Sequence, residues 1–589
     1  MKPGWKRELA VVLIVGLPFI FWGMGSVSLL DPDEGLYGSI ALEMAQSGDW
    51  ITTRFNGLRY LEKPPLYFWL TAVTIKLFGA SEWAVRLWSA LPTLGTALVT
   101  WRMGRLLYGG QAGLLSSIVF LTGVGVFRYS RVAATDSLLV FSLTLSVFGL
   151  VSAVLHPYSR DRSSRLGPLL FFLGMGLGVL SKGLVGIVFP VAILGCFLFF
   201  SGERTAGSPV HLKWGLLLFL AVILPWHLLA SWENPEFFGF YVLDNQVLRF
   251  LSQRAYLEDD VPVVAVAFLI LTFLWFFPWG MFLSGTLRQG FPNLGSAGGP
   301  VERTRLVVGL WAVVVLGFFA LSSLTLEHYF LPAIPPLSLM VGALWSEAFK
   351  EGADRSRLRW SLLGAALGCV PVGFYLLNLS QKLAPQDIFT WLADMNVYYR
   401  VLREQGMDFP FPSAAPFVPL AQGLALVLIA GVPLSLLLFY LGKPRASFFS
   451  VVCIAAAVAG MVFRLVTIIE PRHAAREVAL AVKAVAGPAD LIVHEGSLEY
   501  SGSLPFYTGR QIHVLNGKRG DLEFGSRYSE GQGLFLDDAE LARLWEGAKR
   551  IFLIGRLPGT QSARTTLAGK PVFLLGRYGS RLLYSNHGP

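Results

Sequence analysis

Charge is scarce in this chain, and so are cysteine and the signatures of a soluble nucleotide-dependent enzyme. Only 15% of its 589 residues are Asp, Glu, Lys or Arg. A water-soluble chain of this length carries more charge and interrupts its apolar runs sooner. There are three cysteines, Cys196, Cys369 and Cys453, each inside an apolar stretch. They lack metal-ligand spacing and read as buried small hydrophobes. The sequence has no Walker A loop, Rossmann fingerprint or HExxH pair, so no nucleotide cofactor is expected. No small-residue cleavage site follows the first apolar run (9–29), which reads as an uncleaved first span after the basic start MKPGWKRE.

Apolar residues are what the chain has in abundance. They make up 54% of the sequence, and the mean hydropathy is +0.57. Many runs approach the ~20 residues that cross a bilayer as a helix, and backbone in lipid must satisfy its own hydrogen bonds. Spans are expected near 9–29, 84–107, 111–127, 136–155, 168–182, 184–201, 213–230, 262–284, 306–323, 330–347, 360–379, 417–441 and 447–468. The net charge of +10 belongs to loops between these runs, which favours a membrane over a nucleic-acid partner.

The stretch 65–79 is short for a span. If it does not cross, the loops carrying Arg102 and Arg105, then Arg160, Arg162 and Arg165, then Lys213, Arg303 and Arg305, then Lys350 to Arg359, then Lys443 and Arg445 share a side with Lys2, Lys6 and Arg7. That side is cytoplasmic by the positive-inside rule. The expectation is a polytopic α-helical membrane protein of about thirteen helices, N-terminus inside. Segments 30–83, 128–135, 231–261 and 380–416 then lie outside. Residues 1–469 form the membrane part and 470–589 an outer α/β domain, with strands near 490–496, 510–516, 549–555, 570–576 and 581–586. A helix over 537–548 is capped by Asp537 or Asp538.

The outer loops hold the chemistry. In LLDPDEGLYGSIALEMAQSGDW, Asp31 reads as an N-cap, Pro32 as the first helical residue and Glu34 as the capping-box partner, with Gly48 ending the helix. Leu36, Ile40 and Met44 make a stripe suited to a helix on the membrane surface. The plain role of Asp33 and Glu34 is to complement the helix dipole. Downstream, NGLRYLEKPPLYFW offers Tyr60, Glu62 and Lys63, as an interfacial ion pair or as a phosphate grip. Asp136 opens an apolar span, where an acid is costly without a partner or a task. Asp244 and Arg249 lie in the 231–261 loop, Lys182 sits at a tight turn, and His328 and Tyr329 lie in TLEHYFLP. Acids and cations gathered on one face suit displacement at a sugar carbon that bears a phosphate leaving group.

These motifs, with the Asp136 segment and the tail, resemble the bacterial aminoarabinose transferase family. Its members have a C-type glycosyltransferase (GT-C) fold, more distantly related to protein O-mannosyltransferases. The resemblance implies thirteen transmembrane helices and a periplasmic α/β domain in the bacterial inner membrane. It implies sugar transfer from an undecaprenyl phosphate carrier to lipid A phosphates. By position, Asp33 and Asp136 match the two essential acids. Lys63, Arg249 and Tyr329 match donor-phosphate contacts, and Lys182 joins them. Glu62 matches a metal-contacting Glu, so one divalent cation is an expected cofactor. Leu36 stands where better-known members have Arg, which leaves the sugar and the acceptor (lipid, glycan or protein) open; Asp244 stands where they have a metal-binding His and favours a harder ion, which leaves a changed metal or none as alternatives. A carrier of lipid-linked sugars without enzymatic activity is the remaining alternative, disfavoured because the spans lack polar midplane residues.

Overall fold

The computed structural model describes residues 4–155, 162–201, 209–248, 264–292, 300–322, 326–382, 384–395, 399–400, 403, 411, 413–518, 521–556 and 565–588. The helices come in the order the apolar runs dictate: α1 (Trp5–Phe21), α2 (Asp33–Ser47), α3 (Leu66–Phe78), α4 (Glu82–Tyr108), α5 (Gly110–Thr122), α6 (Val124–Tyr129), α7 (Asp136–Leu155), α8 (Arg162–Lys182), α9 (Val185–Ser201) and α10 (Pro209–Glu233). Beyond them lie a bent pair, Ala265–Trp275 and Trp279–Gly285, and the helices Pro300–Leu321, Ile334–Ala348, Ser356–Gln381 and Pro444–His473. The segment Val418–Tyr440 is also helical, with a π-helical turn over Val427–Gly431.

Among the described residues, seven helices are long and apolar enough to cross a bilayer, and the bent pair, at 111°, makes an eighth if it counts as one span. The other five expected spans correspond to α1, α4, α5, α8 and α9. They miss that standard for visible reasons. Helix α1 has 17 residues, α5 stops at Gly123, and α4 carries Arg86, Arg102 and Arg105. The doubtful stretch 65–79 forms α3, whose 13 residues extend ~20 Å, short of a ~30 Å hydrocarbon core.

Burial sorts the spans into layers. Ser356–Gln381 and Pro444–His473 are buried over only 22% of their apolar windows, whereas Glu327–Ala348 is 94% buried. The outer helices present side chains such as Leu228, Trp232 and Phe374 outward, a surface only lipid would cover. At the centre, helices touch through small residues. A Cβ on Gly342 would come within 2.4 Å of the Ser116 backbone nitrogen, and one on Gly113 within 2.5 Å of that of Arg105. Close backbone approach of this kind is how helices associate where the solvent is as apolar as their side chains. The cysteines depart from expectation: Cys196 and Cys369 are half-buried at the edge of the core and Cys453 is exposed.

The first loop carries a small hairpin, β1 (Arg54–Phe55) and β2 (Leu58–Arg59). Its turn residues, Asn56 and Gly57, both have positive φ (57° and 83°), the geometry of a type I′ turn. The C-terminal domain is a six-stranded sheet of β3 (Leu491–Glu495), β4 (His513–Leu515), β5 (Phe535–Leu536), β6 (Ile551–Arg556), β7 (Phe573–Tyr578) and β8 (Arg581–Ser585), in the order β5-β4-β3-β6-β8-β7. Strands β5, β4, β3 and β6 run parallel, and β8 and β7 pair antiparallel. The expected helix spans Asp538–Trp545. Asp537 caps it in a full capping box with Glu540.

Candidate active site

Helix α2 departs most from expectation. Asp31 does not cap it. The N-cap is Pro32, which offers no side-chain hydrogen bond, and the Asp31 carboxylate instead binds the C-terminal domain. It accepts from Ser503 N (2.8 Å), Ser503 Oγ (3.0 Å) and Arg581 (2.9 Å). The Asp31 and Arg581 side chains are 2% and 1% exposed. Ser39 Oγ donates to the Gly502 carbonyl and Leu29 N to the Tyr507 hydroxyl. So α2 does not lie bare on a membrane surface. It is clamped between α3, α4 and the C-terminal domain, which buries its Leu36, Ile40 and Met44 stripe and most of its other faces. Gly48 does end it, at φ 75°.

Glu34 lies at the centre of this clamp. Both its oxygens take the Arg86 guanidinium at 2.8 Å, and the two side chains are 3% exposed. Its carboxylate also accepts the amides of Leu30 (3.0 Å) and Ala133 (2.8 Å). Arg86 spends its remaining donors on the carbonyls of Met24, Val27 and Ser28. A bidentate pair with every donor and acceptor satisfied is the arrangement that makes a buried charge pair tolerable. Glu34 thus ties together three segments: the end of the first span, the start of α2, and residue 133, three positions before Asp136.

Burial pushes the Glu34 pKa up, but Arg86 and the two amides outweigh it, and the net direction is down from 4.5. A depressed folded-state carboxylate stabilises the fold fully above its unfolded pKa and loses that contribution as pH falls through the folded value. Thermal stability of the wild type should therefore drop between about pH 5 and pH 3, by more than that of Glu34→Gln. Melting curves of the two proteins across this range check it. Parallel curves would contradict the assignment.

Asp33 is exposed at the start of α2. Asp136, 7% exposed, begins α7. Its carboxylate meets Lys182 Nζ, at the last residue of α8, at 2.5 Å. His328 Nε2 stands 3.9 Å from the same oxygen. Lys182 also lies over the Tyr329 ring, 4.9 Å from its centroid. Helix α8 ends because Gly183 follows at φ 82°, which presents Lys182 at the turn between α8 and α9. Lys63 acts on Asp136 electrostatically and pairs with Glu62 at 2.5 Å. The Tyr60 hydroxyl donates to the other Glu62 oxygen. Asp136, Lys182, His328, Tyr329 and Lys63, far apart in sequence, therefore form one cluster.

Tyr129, which the sequence did not single out, joins it: its hydroxyl donates to Glu327 at 3.0 Å, and its ring packs against His328. Arg131, close to Asp136 in sequence, turns away and donates to the carbonyls of Phe127, Trp22 and Phe19. Asp244 is half-buried in the π-helical segment Gly239–Leu248. Arg249 lies outside the described residues. Among the described residues no three His, Cys, Asp or Glu side chains converge as metal ligands, and the Glu62 oxygens already meet Tyr60 and Lys63.

Layered apolar helices that carry an acid–lysine cluster, followed by an α/β domain, make a multi-pass membrane protein, and superposition gives it the GT-C fold. Over its whole length the chain superposes on ArnT from Cupriavidus metallidurans bound to undecaprenyl phosphate, with a TM-score of 0.79, 24% identity and 100% of both chains covered. The apo form of that protein gives 0.77 over 99% of both chains. Residues 62–229 match the family model described as dolichyl-phosphate-mannose-protein mannosyltransferase, a stretch that holds Glu62, Lys63, Asp136 and Lys182. In sequence the chain is similar to the undecaprenyl phosphate-alpha-4-amino-4-deoxy-L-arabinose arabinosyl transferase of Aeromonas salmonicida, 27% identical over 60% of this chain and 61% of that protein. It is also similar to the corresponding transferase 1 of Sodalis glossinidius, 30% identical over 56% of each. These matches span about three fifths of the relatives' length.

Proposed function

We propose that this chain is a glycosyltransferase that moves a sugar from a polyprenyl phosphate carrier, of the undecaprenyl type, to a phosphorylated lipid of the lipid A kind. The observation that carries the reading is the cluster of Asp136, Lys182, His328 and Lys63 at the ends of their helices; Asp33 stands exposed at the start of α2. The names of the similar transferases and the fold they share support it. In this proposal the chain lies in a bacterial inner membrane, N-terminus cytoplasmic, with the cluster and the C-terminal domain periplasmic. The basic loops that share the N-terminal side by parity support that orientation.

In the proposed reaction an acceptor oxygen attacks the anomeric carbon, a new C–O bond forms there, and the carbon–oxygen bond to the carrier phosphate breaks. Charge grows on the departing phosphate. Lys63 and Lys182 are the ammonium groups that take it up, each now held by a carboxylate at 2.5 Å that the phosphate would share or replace. Asp33, exposed, orients the acceptor and takes its proton if the acceptor is a hydroxyl. Asp136 holds Lys182 in place and keeps the pocket's charge balanced until the donor arrives. Tyr329, beneath Lys182, and Arg249 complete the phosphate side in this reading. A divalent cation is a separate proposal: Glu62 and Asp244 are the carboxylates it would use, and activity lost to a chelator and restored by added metal checks it.

Lys63→Ala is expected to lower kcat/KM for the polyprenyl-phosphate sugar by about 10–100-fold, the worth of one charge-assisted contact. Unchanged kinetics would remove Lys63 from the donor site. The family model matched by residues 62–229 favours a second reading, a protein hydroxyl as acceptor. Radiolabelled sugar appearing on protein and not on lipid selects that reading, and a donor left intact with both acceptors contradicts transfer altogether.

A further inference from the structure

A second cleft shares no lining residue with the acid–lysine cluster. It is an open cleft between the end of the first span, α6 and Pro444–His473, with about 370 Å³ of space between atoms when the open solvent at its mouth is included. Four charged side chains line it: Glu34, Arg86, Arg128 and Arg131. Glu34 and Arg86 cancel each other, which leaves two guanidinium groups. Arg131, 8% exposed, is bound only by neutral groups: the Phe127 carbonyl at 2.7 Å, the Trp22 carbonyl at 3.2 Å, the Phe19 carbonyl and Ser130 Oγ. Those bonds explain why Arg131 is there, since it closes the C-terminal end of α1, but they do not neutralise it. Arg128 is half-buried and only approaches the Tyr129 ring, at 5.9 Å. Among the described residues neither arginine has a carboxylate in ion-pair range. Burial, with the Arg128 charge beside it, brings the Arg131 pKa down to about 9.

The remaining wall is apolar: Met24, Val27, Phe463 and Val466 among others. Trp22, 58% exposed, packs on Phe463 at 4.9 Å, and an exposed tryptophan at a span end marks the water–lipid interface. The cleft therefore offers two cations without a carboxylate partner among the described residues, set beside an apolar wall. A free sugar phosphate or nucleotide would use the cations and waste the wall. A neutral lipid would do the reverse.

We infer that this cleft is a second phosphate site, which takes the phosphate head of an acyl lipid with its chains along Pro444–His473. Its role as the acceptor site rests on the transfer proposed above; its existence does not. Glu34 joins it to the reaction centre, because the same carboxylate that lines the cleft holds Ala133 N at 2.8 Å, three residues before Asp136.

Native mass spectrometry of the full-length protein in detergent tests the site. A Lys63→Ala background weakens the donor site, and the probes are dioleoyl phosphatidic acid, dioleoylglycerol, dioleoyl phosphatidylcholine and inorganic phosphate. Phosphatidic acid should bind at least about ten times tighter than dioleoylglycerol, and Arg128→Gln should erase that advantage. Val466→Trp, which fills the apolar wall and leaves both arginines alone, should weaken binding as much. Binding unchanged to within two-fold in both variants overturns the proposal, as does equal binding of phosphatidylcholine. Displacement of the lipid by equimolar inorganic phosphate would show a free-anion site and also overturn it. Selective binding of phosphatidic acid without any sugar transfer would leave the cleft standing and remove the proposed activity.

Discussion

Asp136→Asn should lower transfer by about 100- to 10,000-fold and also destabilise the protein. The two effects have different origins and can be separated. Asn cannot balance Lys182, whose side chain is 17% exposed and sits 2.5 Å from the Asp136 carboxylate. A buried charge left without its partner costs about 3–5 kcal/mol. Removing both partners relieves that penalty. Asp136→Ala with Lys182→Ala should therefore recover most of the lost stability and none of the activity. Melting temperature and initial rate, measured on the two single variants and the double, decide it. A double variant as unstable as Asp136→Asn would mean that the pair does not govern local stability. Near-native turnover in Asp136→Asn would take Asp136 out of the reaction, in Lys182→Ala it would take Lys182 out, and in the double variant both.

Arg581→Ala should have the second largest effect, at a residue remote from the cluster. Arg581 is 1% exposed and reaches Asp31, Ser501 Oγ and the carbonyls of Ala474 and Tyr500. Its loss strands the Asp31 carboxylate, at a cost of about 3–5 kcal/mol. The C-terminal domain has other anchors on the membrane part. Asn56 exchanges two hydrogen bonds with Ile512 at 2.8 Å, Arg54 and Arg59 share a Glu530 oxygen at 3.1 Å, and Phe240 stacks on Phe524 at 3.9 Å. The domain should stay folded but dock loosely, with α2 and Asp33 less firmly placed. The expected result is faster proteolysis after His473 and a fall in kcat with KM for the donor little changed. Arg581→Lys should not restore either, because one ammonium cannot reproduce the fork of donors. Wild-type protease resistance in Arg581→Ala would show that the clamp is not held there.

The sequence disclosed elements whose signal is local. Helix α7 spans the expected 136–155, and the strands near 491, 513, 551, 573 and 581 follow short β-rich runs between turns. The cap of the helix after 537 was readable down to Asp537 or Asp538, and the structure selects Asp537 in a box with Glu540, a geometry contained in four residues. Long-range partners were not readable. Asp31 has the same local look as a capping residue, and only the fold brings Arg581, 550 positions away, to claim it. Glu34 completed the spacing of a capping box, and its carboxylate does accept Leu30 N, but its main partner is Arg86, 52 positions on. Arg86 did leave a trace: a charged residue within an apolar span requires a partner. The Asp136 reading used that same rule and gave the need for a partner without its identity. Arg131 was the near neighbour in sequence, and Lys182 is the partner in space.

The most direct test of the account is transfer by the full-length protein in liposomes. They would contain a polyprenyl-phosphate sugar and a phosphorylated lipid acceptor, with products read by mass spectrometry beside Asp33→Ala and Asp136→Ala. The account predicts a sugar-sized mass gain on the acceptor, matched mole for mole by released polyprenyl phosphate and lost in both variants. Release of polyprenyl phosphate that persists undiminished in both variants, or a donor left intact by the wild type with every acceptor offered, would contradict it.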